Sequence, residues 1–343
     1  MILGYATLYL ADDVERALPD GDAARALLAK HRPDVAGRID AMVQRATAGA
    51  GSPRHADAAL LGLARLGLRH GSFGDDPHDY HNEEHVLELG ERRLAQLMDS
   101  LGDATLSADD WLALLLFAAC HDLRQRETFD VPGPVGGNEA ASIAECFRIL
   151  SACGFDATTD RDLYVAMELM IAGSTFDARP LPHPDGEEIP TAGGGSLARG
   201  LGLWLDGERP EWRDDEHARR GERLARLAAD LDTANVGEPF HLLAESALRL
   251  CRERERRAGR ALEKAASAPT CLGFLSRGQT HYFFDLHRFC SREGERAFGA
   301  QKAINGPRVR RISQRLLQRF EDEAPPSGAA VLAAFGELCA AGD

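Results

Sequence analysis

The feature that most limits the possible folds is the run of residues 111–120 (WLALLLFAAC), which is followed at once by His121 and Asp122. The run is apolar on almost every side, and a helix of that kind must be surrounded by other helices. It is too short to cross a membrane, which takes about 18 or more apolar residues, and no run in the sequence reaches that length. We therefore predict the central helix of a bundle, with a polar pair at its end.

Other segments carry apolar residues at helical spacing, and convincing strand alternation is absent from the sequence. The predicted fold class is therefore all-α, a multi-helix bundle. Residues 13–70 indicate two or three short helices, and Asn138 is expected to cap a later one. The other predicted helices cover residues 80–100, 138–153, 160–173, 217–235, 239–264, 282–290, 307–321 and 328–340.

The loop-forming residues suggest how the chain is organised. A loop signal at residues 71–77 separates an N-terminal helical segment (1–70) from a main domain (71–305), and we expect helices in 306–343 to pack on that domain. Residues 176–217 are rich in Gly, Pro and Asp. This predicted insertion is too long for a passive connection, and it could form a lid or bury a site.

Charge and cysteine content exclude several classes of protein. With 40 Lys and Arg residues against 54 Asp and Glu residues, the formal charge is −14, which argues against nucleic-acid polymers and membranes as partners. A small phosphate ester remains compatible, because a bound metal can reverse the local field. The seven cysteines have no CxxC spacing, so neither a disulfide framework nor a thiolate zinc site is expected. The apolar residues 1–10 lack a basic start and a cleavage site, and we expect a cytoplasmic protein.

The first motif that could carry chemistry is YHNEEH, residues 80–85. His81 and His85 are spaced i and i+4, so on a helix they lie on one face about one turn apart and can point at one centre. Taken alone, this spacing also fits chance or simple helix capping.

The second motif is the pair His121-Asp122 at the end of the apolar run. A charged pair in such a buried place is costly unless something compensates it, and a divalent cation does so well. Histidine supplies a neutral nitrogen ligand and aspartate an anionic oxygen. The alternative is a structural His–Asp hydrogen bond.

The third motif is ADLDTANVG, residues 229–237, which places an acid near the end of an amphipathic helix. Asp230 and Asp232 flank the apolar stripe on opposite sides, so the helical projection leaves open which one faces inward. Either could also lie on a solvent-facing helix edge.

Together and in this order, the three motifs resemble the signature H…HD…D of the HD-domain metal-dependent phosphohydrolase superfamily, over roughly residues 75–240. The YHNxxH pattern resembles the cyclic-nucleotide phosphodiesterase branch. The resemblance implies an HD-type helical bundle that hydrolyses a small phosphoester, a phosphodiester or nucleotide, with one or two divalent ions. Mixed nitrogen and oxygen ligands do not discriminate between Mn²⁺, Mg²⁺, Zn²⁺ and Fe²⁺.

The resemblance also implies roles for individual residues. His85, His121 and Asp122 would bind metal, with Asp122 bridging to a second ion. The last ligand would be Asp232, because Asn235 follows it by three residues, with Asp230 as the alternate. Hydroxide on the metal would attack phosphorus, and His81 would protonate the leaving oxygen.

Further residues are expected beside the pocket. The resemblance implies substrate-binding or supporting roles for a set of polar residues, and Arg124 and Arg126 could help to hold phosphate. For each of these an ordinary capping or solvated role is the alternative. One departure from the family is Gln125, which stands where some branches have a further histidine. The supporting set is Asn82, Asn138, Glu139, Ser142, Thr175 and Gln279.

Two other functions compete with hydrolysis. One is a non-catalytic HD module that binds a nucleotide or a protein partner, which the missing histidine at Gln125 and the insertion favour. The other is a di-iron oxygenase on an HD fold, which generally needs more histidine ligands than this sequence provides. The sequence is compatible with an oligomer.

Overall fold

The structure is a computed structural model that describes residues 3–102, 106–127, 131, 133–177 and 194–341. Those residues form two compact units: the first contains the chain up to Asp177 together with Ser196–Asp232, and the second contains Gly194, Gly195 and the chain from Thr233 onward. The predicted all-α class is confirmed, since the described strands are only Phe176–Asp177 and Gly195–Ser196. No described helix combines the length and the apolar character that crossing a membrane requires.

The first unit is built around the predicted central helix, Ala108–Cys120. Ser107 begins it with a capping box, because its hydroxyl accepts from the Asp110 N–H while the Asp110 carboxylate accepts from the Ser107 N–H. Every residue from Asp110 to Cys120 is buried. The other α-helices of this unit are Asp13–Ala17, Gly21–His31, Val35–Ala46, Pro53–His70, Glu83–Glu88, Ala95–Leu101, Gly137–Ala152, Arg161–Ser174, Leu201–Glu208 and Glu216–Asp232, with a π-helical turn at Leu89–Leu94 and 3₁₀ turns at Tyr5–Thr7, Leu197–Arg199 and Pro210–Arg213.

Close helix packing holds the C-terminal end of the central helix. The central helix contacts Pro53–His70, Arg161–Ser174 and Glu216–Asp232. At Gly62 the first of these comes so near that an added Cβ would lie 2.7 Å from the carbonyl oxygen of Ala119. A glycine is therefore required at position 62, where the two helices cross two residues before His121.

The helix predicted from residue 80 begins later, at Glu83, because Asn82 is its N-cap. The Asn82 side chain accepts from the N–H groups of Glu84 and His85, while its amide donates to the His78 carbonyl. His81 consequently precedes the helix, and the prediction that it shares a helix face with His85 is wrong.

The prediction that Asn138 is an N-cap is also wrong. Helix Gly137–Ala152 has Gly136 at its N-cap, and Asn138 lies in its first turn. The Asn138 side chain instead accepts from the N–H of Glu127, so it ties down the preceding loop. The predicted insertion is not irregular throughout, because its described part contains Leu201–Glu208; residues 178–193 lie outside the described part of the chain.

The second unit has its own apolar core, which includes Cys271, Leu275, Leu316 and Val331. Its α-helices are Phe240–Arg257, Ala268–Gly273, Gln279–His281, Arg292–Arg319 and Gly328–Ala340, with π-helical turns at Phe274–Gly278 and Tyr282–Leu286 and 3₁₀ turns at Ala234–Gly237 and Ala265–Ser267.

The helix predicted to start at residue 307 begins at Arg292 and runs through Pro307 without a break. Ser291 caps it by accepting from the Gly294 N–H, and the buried Asn305 donates to the carbonyls of Val236 and Glu238. Pro307 is typical of a helix start, which explains the wrong prediction. The domain boundary predicted at 305/306 falls inside this helix.

Candidate metal centre

Four polar side chains from three distant stretches converge in the first unit. His85 comes from helix Glu83–Glu88, His121 and Asp122 follow the central helix, and Asp232 ends helix Glu216–Asp232. Both histidines are buried, with His85 0 % and His121 3 % exposed, whereas histidine is usually only partly buried. The fold therefore brings together the four residues that the family resemblance implied as a ligand set.

The atoms of these side chains lie at the separations that one shared ion requires. Nε2 of His121 is 3.0 Å from Oδ2 of Asp122 and 3.5 Å from Oδ1 of Asp232. Nε2 of His85 is 3.4 Å from the same Asp232 oxygen and 3.7 Å from Oδ2 of Asp122. Ligands that each stand about 2 Å from a metal are roughly 3–4 Å from one another.

The ring of His121 is oriented for coordination by a backbone contact. Its Nδ1 lies 3.2 Å from the carbonyl oxygen of Phe117, and because a carbonyl only accepts, Nδ1 carries a proton. Nε2 then faces the carboxylates. Such a hydrogen bond to the second ring nitrogen is how proteins usually fix the tautomer of a metal-binding histidine.

Several of these atoms are buried without a hydrogen-bond partner: Nε2 of His121, Oδ2 of Asp122 and both ring nitrogens of His85. Buried polar atoms are nearly always satisfied, so an unsatisfied group of this kind calls for an explanation. The donor set of two neutral nitrogens and two anionic oxygens fits a divalent ion, which would satisfy these atoms together.

The charges of the four groups are strongly interdependent. Burial alone would lower the pKa of His121, but the carboxylates of Asp122 and Asp232 outweigh it and hold that pKa well above the ordinary value. Burial dominates at His85, whose pKa is lowered. Burial would raise the pKa of Asp232, yet His121 and His85 keep it below the ordinary value. Without an ion, the proton on His121 compensates the carboxylates.

Gln125, which the sequence marked as a departure, has a direct contact in this cluster. Its Nε2 donates to Oδ1 of Asp122 over 2.7 Å. Gln125 is 7 % exposed, so the contact is protected from water. It leaves Oδ2 as the oxygen that faces the histidines.

His81 lies beside the cluster. Its ring centroid is 6.2 Å from that of His85, and its charge acts to lower the pKa of Asp122. Tyr80 contacts both rings, with its centroid 4.9 Å from that of His81 and 4.6 Å from that of His85. Burial raises the pKa of the Tyr80 hydroxyl to about 12. His81 therefore lies next to the cluster of candidate ligands.

Of the two acids left open by the sequence, Asp232 is the one that contacts both histidines. Asp230 is 1 % exposed and lies two residues earlier, roughly 200° around the helix. The sequence did not identify Arg93, which is fully buried and donates to the carbonyls of Asp232 and Leu231. The feature of the sequence that could have pointed to Arg93 is its position on the apolar face of residues 86–97.

The supporting residues expected beside the pocket mostly hold the surrounding backbone. The hydroxyl of Ser142 accepts from the Arg124 N–H, as Asn138 does from Glu127, so one face of a helix fixes the loop after Asp122. The Thr175 hydroxyl accepts from the Gly136 N–H. Burial, together with the charges of Asp122 and Asp232, raises the pKa of Glu139 to about 7.

The two arginines proposed to hold phosphate are engaged with carboxylates. Arg124 pairs with Glu127 at 2.6 Å and lies within 3.7 Å of the buried Glu145. Arg126 pairs with Asp76 at 2.6 Å. The structure thus gives both arginines protein partners, and neither reaches the cluster through a described contact.

Gln279 belongs to the second unit. It lines a small apolar cavity there with Phe240 and Leu275. In the same unit, Asn235 accepts from the Tyr282 hydroxyl over 3.2 Å. The substrate-binding or supporting role implied for Gln279 stays a prediction.

Comparison with known proteins supports the fold. No protein-family model matches the chain, and no curated protein matches it. Among solved structures, it is similar to the phosphodiesterase domain of the rhodopsin phosphodiesterase from Salpingoeca rosetta. The two are 13 % identical, with 94 % of this chain and 95 % of that chain covered and a TM-score of 0.52. The chain therefore has the all-helical fold of a phosphodiesterase domain, as the resemblance predicted.

Proposed function

We propose that this protein is a divalent-metal-dependent hydrolase of a small phosphoester, with a phosphodiester or a nucleotide as substrate. The observation that carries the proposal is the cluster of His85, His121, Asp122 and Asp232, whose inward atoms are buried and unsatisfied. The fold similarity to a phosphodiesterase domain supports the same chemistry.

In this proposal the four side chains hold the ion. When bound, a divalent ion lowers the pKa of a water ligand and neutralises phosphoryl oxygens, which suits hydrolysis at phosphorus. It also allows an acidic chain of charge −14 to accept an anionic substrate.

The protein's own groups would supply the proton for the leaving oxygen and would orient the side chains that hold the ion. His81, beside the cluster, would donate a proton from its imidazolium to the departing oxygen. Gln125 would orient the Asp122 carboxylate, and the Phe117 carbonyl would orient His121. With a pKa raised to about 7, Glu139 can exchange a proton near neutral pH at the edge of the same cluster.

The proposal is tested with a panel of cyclic nucleotides, nucleotides and linear diesters, assayed with Mn²⁺, Mg²⁺, Zn²⁺ or Fe²⁺ and after chelation. We expect turnover of at least one phosphoester that requires metal and is lost in Asp122→Ala. Turnover that is unchanged in Asp122→Ala would contradict the proposal.

The same panel separates the two alternatives. A non-catalytic module would bind a nucleotide without turnover under every metal condition. An oxygenase would consume oxygen with iron and release no phosphate. Among the described residues, His85 and His121 are the histidines of the cluster, with His81 beside it, whereas a di-iron oxygenase generally needs more histidine ligands.

A further inference from the structure

The second unit contains a cavity of about 610 Å³ that the proposed hydrolysis does not use. One wall is the segment that carries Phe283, Phe284, Arg288 and Phe289. The other is a face of helix Arg292–Arg319. A volume of this size lies in the range of cavities that hold small organic ligands.

Small residues on the helix make room for the cavity. Gly299 and Gly306 lie two turns apart on the face that lines it. A Cβ on Gly306 would lie 3.4 Å from the ring of Phe284, and one on Gly299 would lie 3.9 Å from that of Phe289. Because these two glycines have no side chains, the helix surface leaves room for the aromatic rings and for the cavity next to them.

Three cations surround this space. The guanidinium of Arg310 lies 3.9 Å over the ring of Phe284, and Arg288 donates to the Phe284 carbonyl. The ammonium of Lys302 lies 5.3 Å from the ring centroid of Phe283 and 5.6 Å from that of Phe289.

Among the residues that the structure describes, none of these three cations has a carboxylate within ion-pair distance. The one acid among the described lining residues is Glu295, which is exposed. An unpaired group of positive charges at a concave surface attracts anions.

Lys302 is positioned for a ligand. Its Nζ donates to Nδ1 of His287 over 2.9 Å and to the His287 carbonyl over 3.0 Å, so one of its three N–H groups stays available. Burial, and then the charge of Arg288, lowers the pKa of Lys302 to about 8. The amine is still mostly protonated at neutral pH, and a negatively charged partner would stabilise this ammonium.

We propose that this cavity binds a nucleoside monophosphate or a chemically similar anion that joins a planar ring to a phosphate. The phosphate would pair with Lys302, Arg288 and Arg310, and the ring would pack against the phenylalanines. Aromatic side chains and cations next to one another are suited to such ligands, because a base stacks on the rings while the phosphate is neutralised.

The test is binding of AMP to the full chain by titration calorimetry, with chelator present so that the proposed metal centre neither holds phosphate nor turns over the nucleotide. Inorganic phosphate and adenosine serve as separate ligands. We expect saturable binding of AMP near one per chain, with both fragments at least tenfold weaker, because each retains only one half of the contacts.

Three variants locate the binding. Lys302→Met should weaken AMP binding about tenfold or more, since a charged hydrogen bond is lost. Gly299→Leu should abolish it by filling the cavity without changing the charge. Arg315→Gln, an exposed arginine farther along the same helix, removes a charge away from the cavity and should bind AMP normally.

Absence of saturable AMP binding would overturn the inference. So would equal affinity for inorganic phosphate, or unchanged affinity in both Lys302→Met and Gly299→Leu when circular dichroism shows that these variants are folded. Because the titration is run without metal and measures no turnover, its failure is distinct from failure of the proposed hydrolase.

Discussion

The amide of Gln125 donates to Oδ1 of Asp122 over 2.7 Å, while Oδ2 of the same carboxylate faces Nε2 of His121 at 3.0 Å. The two oxygens of Asp122 therefore have different partners, and the hydrogen bond from Gln125 determines which oxygen faces the cluster. We predict that Gln125→Ala lowers the affinity for a divalent ion by about 10- to 100-fold, as the loss of a residue that orients a ligand usually does.

The measurement is a Mn²⁺ or Zn²⁺ titration of the wild type and the variant. Gln44→Ala, at an exposed position of the first unit, is the matched control and should leave the affinity unchanged. An unchanged affinity in Gln125→Ala would mean that the hydrogen bond does not orient Asp122.

His81 should affect turnover without affecting the ion. It lies beside the ligand set, so His81→Ala is expected to keep the metal content and to lower kcat by about 10²- to 10⁴-fold, the usual contribution of a general acid. Metal analysis and steady-state kinetics on the same preparation test this. His241→Ala removes an exposed histidine as a control. Loss of the metal in His81→Ala would instead make His81 a ligand.

Asn82 should contribute to stability as well as to the position of His85. Its side chain caps the helix that carries His85, and replacing such a cap with alanine costs roughly 0.5–2 kcal/mol. Urea unfolding of Asn82→Ala should report a loss in this range, and Asn82→Asp, which keeps an acceptor oxygen, should retain most of the stability. Equal losses in both variants would show that capping is not the cause.

The pH dependence of ion binding follows from His121. Its pKa in the metal-free protein is held well above the ordinary value by Asp122 and Asp232, so the ring is protonated at neutral pH and must lose a proton to an incoming ion. Below that pKa, the affinity should therefore rise with pH, by up to about tenfold per unit, with roughly one proton released per ion.

Calorimetry in two buffers of different ionisation enthalpy measures this proton directly. We expect the observed heat to differ between the buffers by the amount that one released proton predicts. Identical heats, together with an affinity independent of pH between 5.5 and 7.5, would contradict the assignment of a protonated His121.

Patterns within a short stretch predicted most of the helices, and the family resemblance implied four residues that the structure brings together. The apolar run at 111–120 and its Ser107 start predict the central helix, and three motifs in order identified four residues that do converge. The choice between Asp230 and Asp232 needed the structure, because both flank the apolar stripe and only the packing of the helix decides which one faces the histidines.

Contacts between distant residues explain what the sequence could not provide. Asn138 looked like a cap because its residue type favours caps, yet its acceptor oxygen satisfies the Glu127 N–H instead. Arg93 was unrecognised because its partners, the carbonyls of Asp232 and Leu231, lie far along the chain. The helix predicted at 307–321 is the C-terminal half of a longer one that begins at Arg292.

One ion bound by His85, His121, Asp122 and Asp232 is the basis of the proposed hydrolysis. The decisive measurement is the titration of chelator-treated protein with Mn²⁺ or Zn²⁺, for the wild type, Asp122→Ala, Asp232→Asn and Asp230→Asn. We predict saturable binding near one ion per chain in the wild type and in Asp230→Asn, and its loss in Asp122→Ala and Asp232→Asn. Binding that persists unchanged in Asp122→Ala and Asp232→Asn, or that is absent from the wild type, would contradict the account.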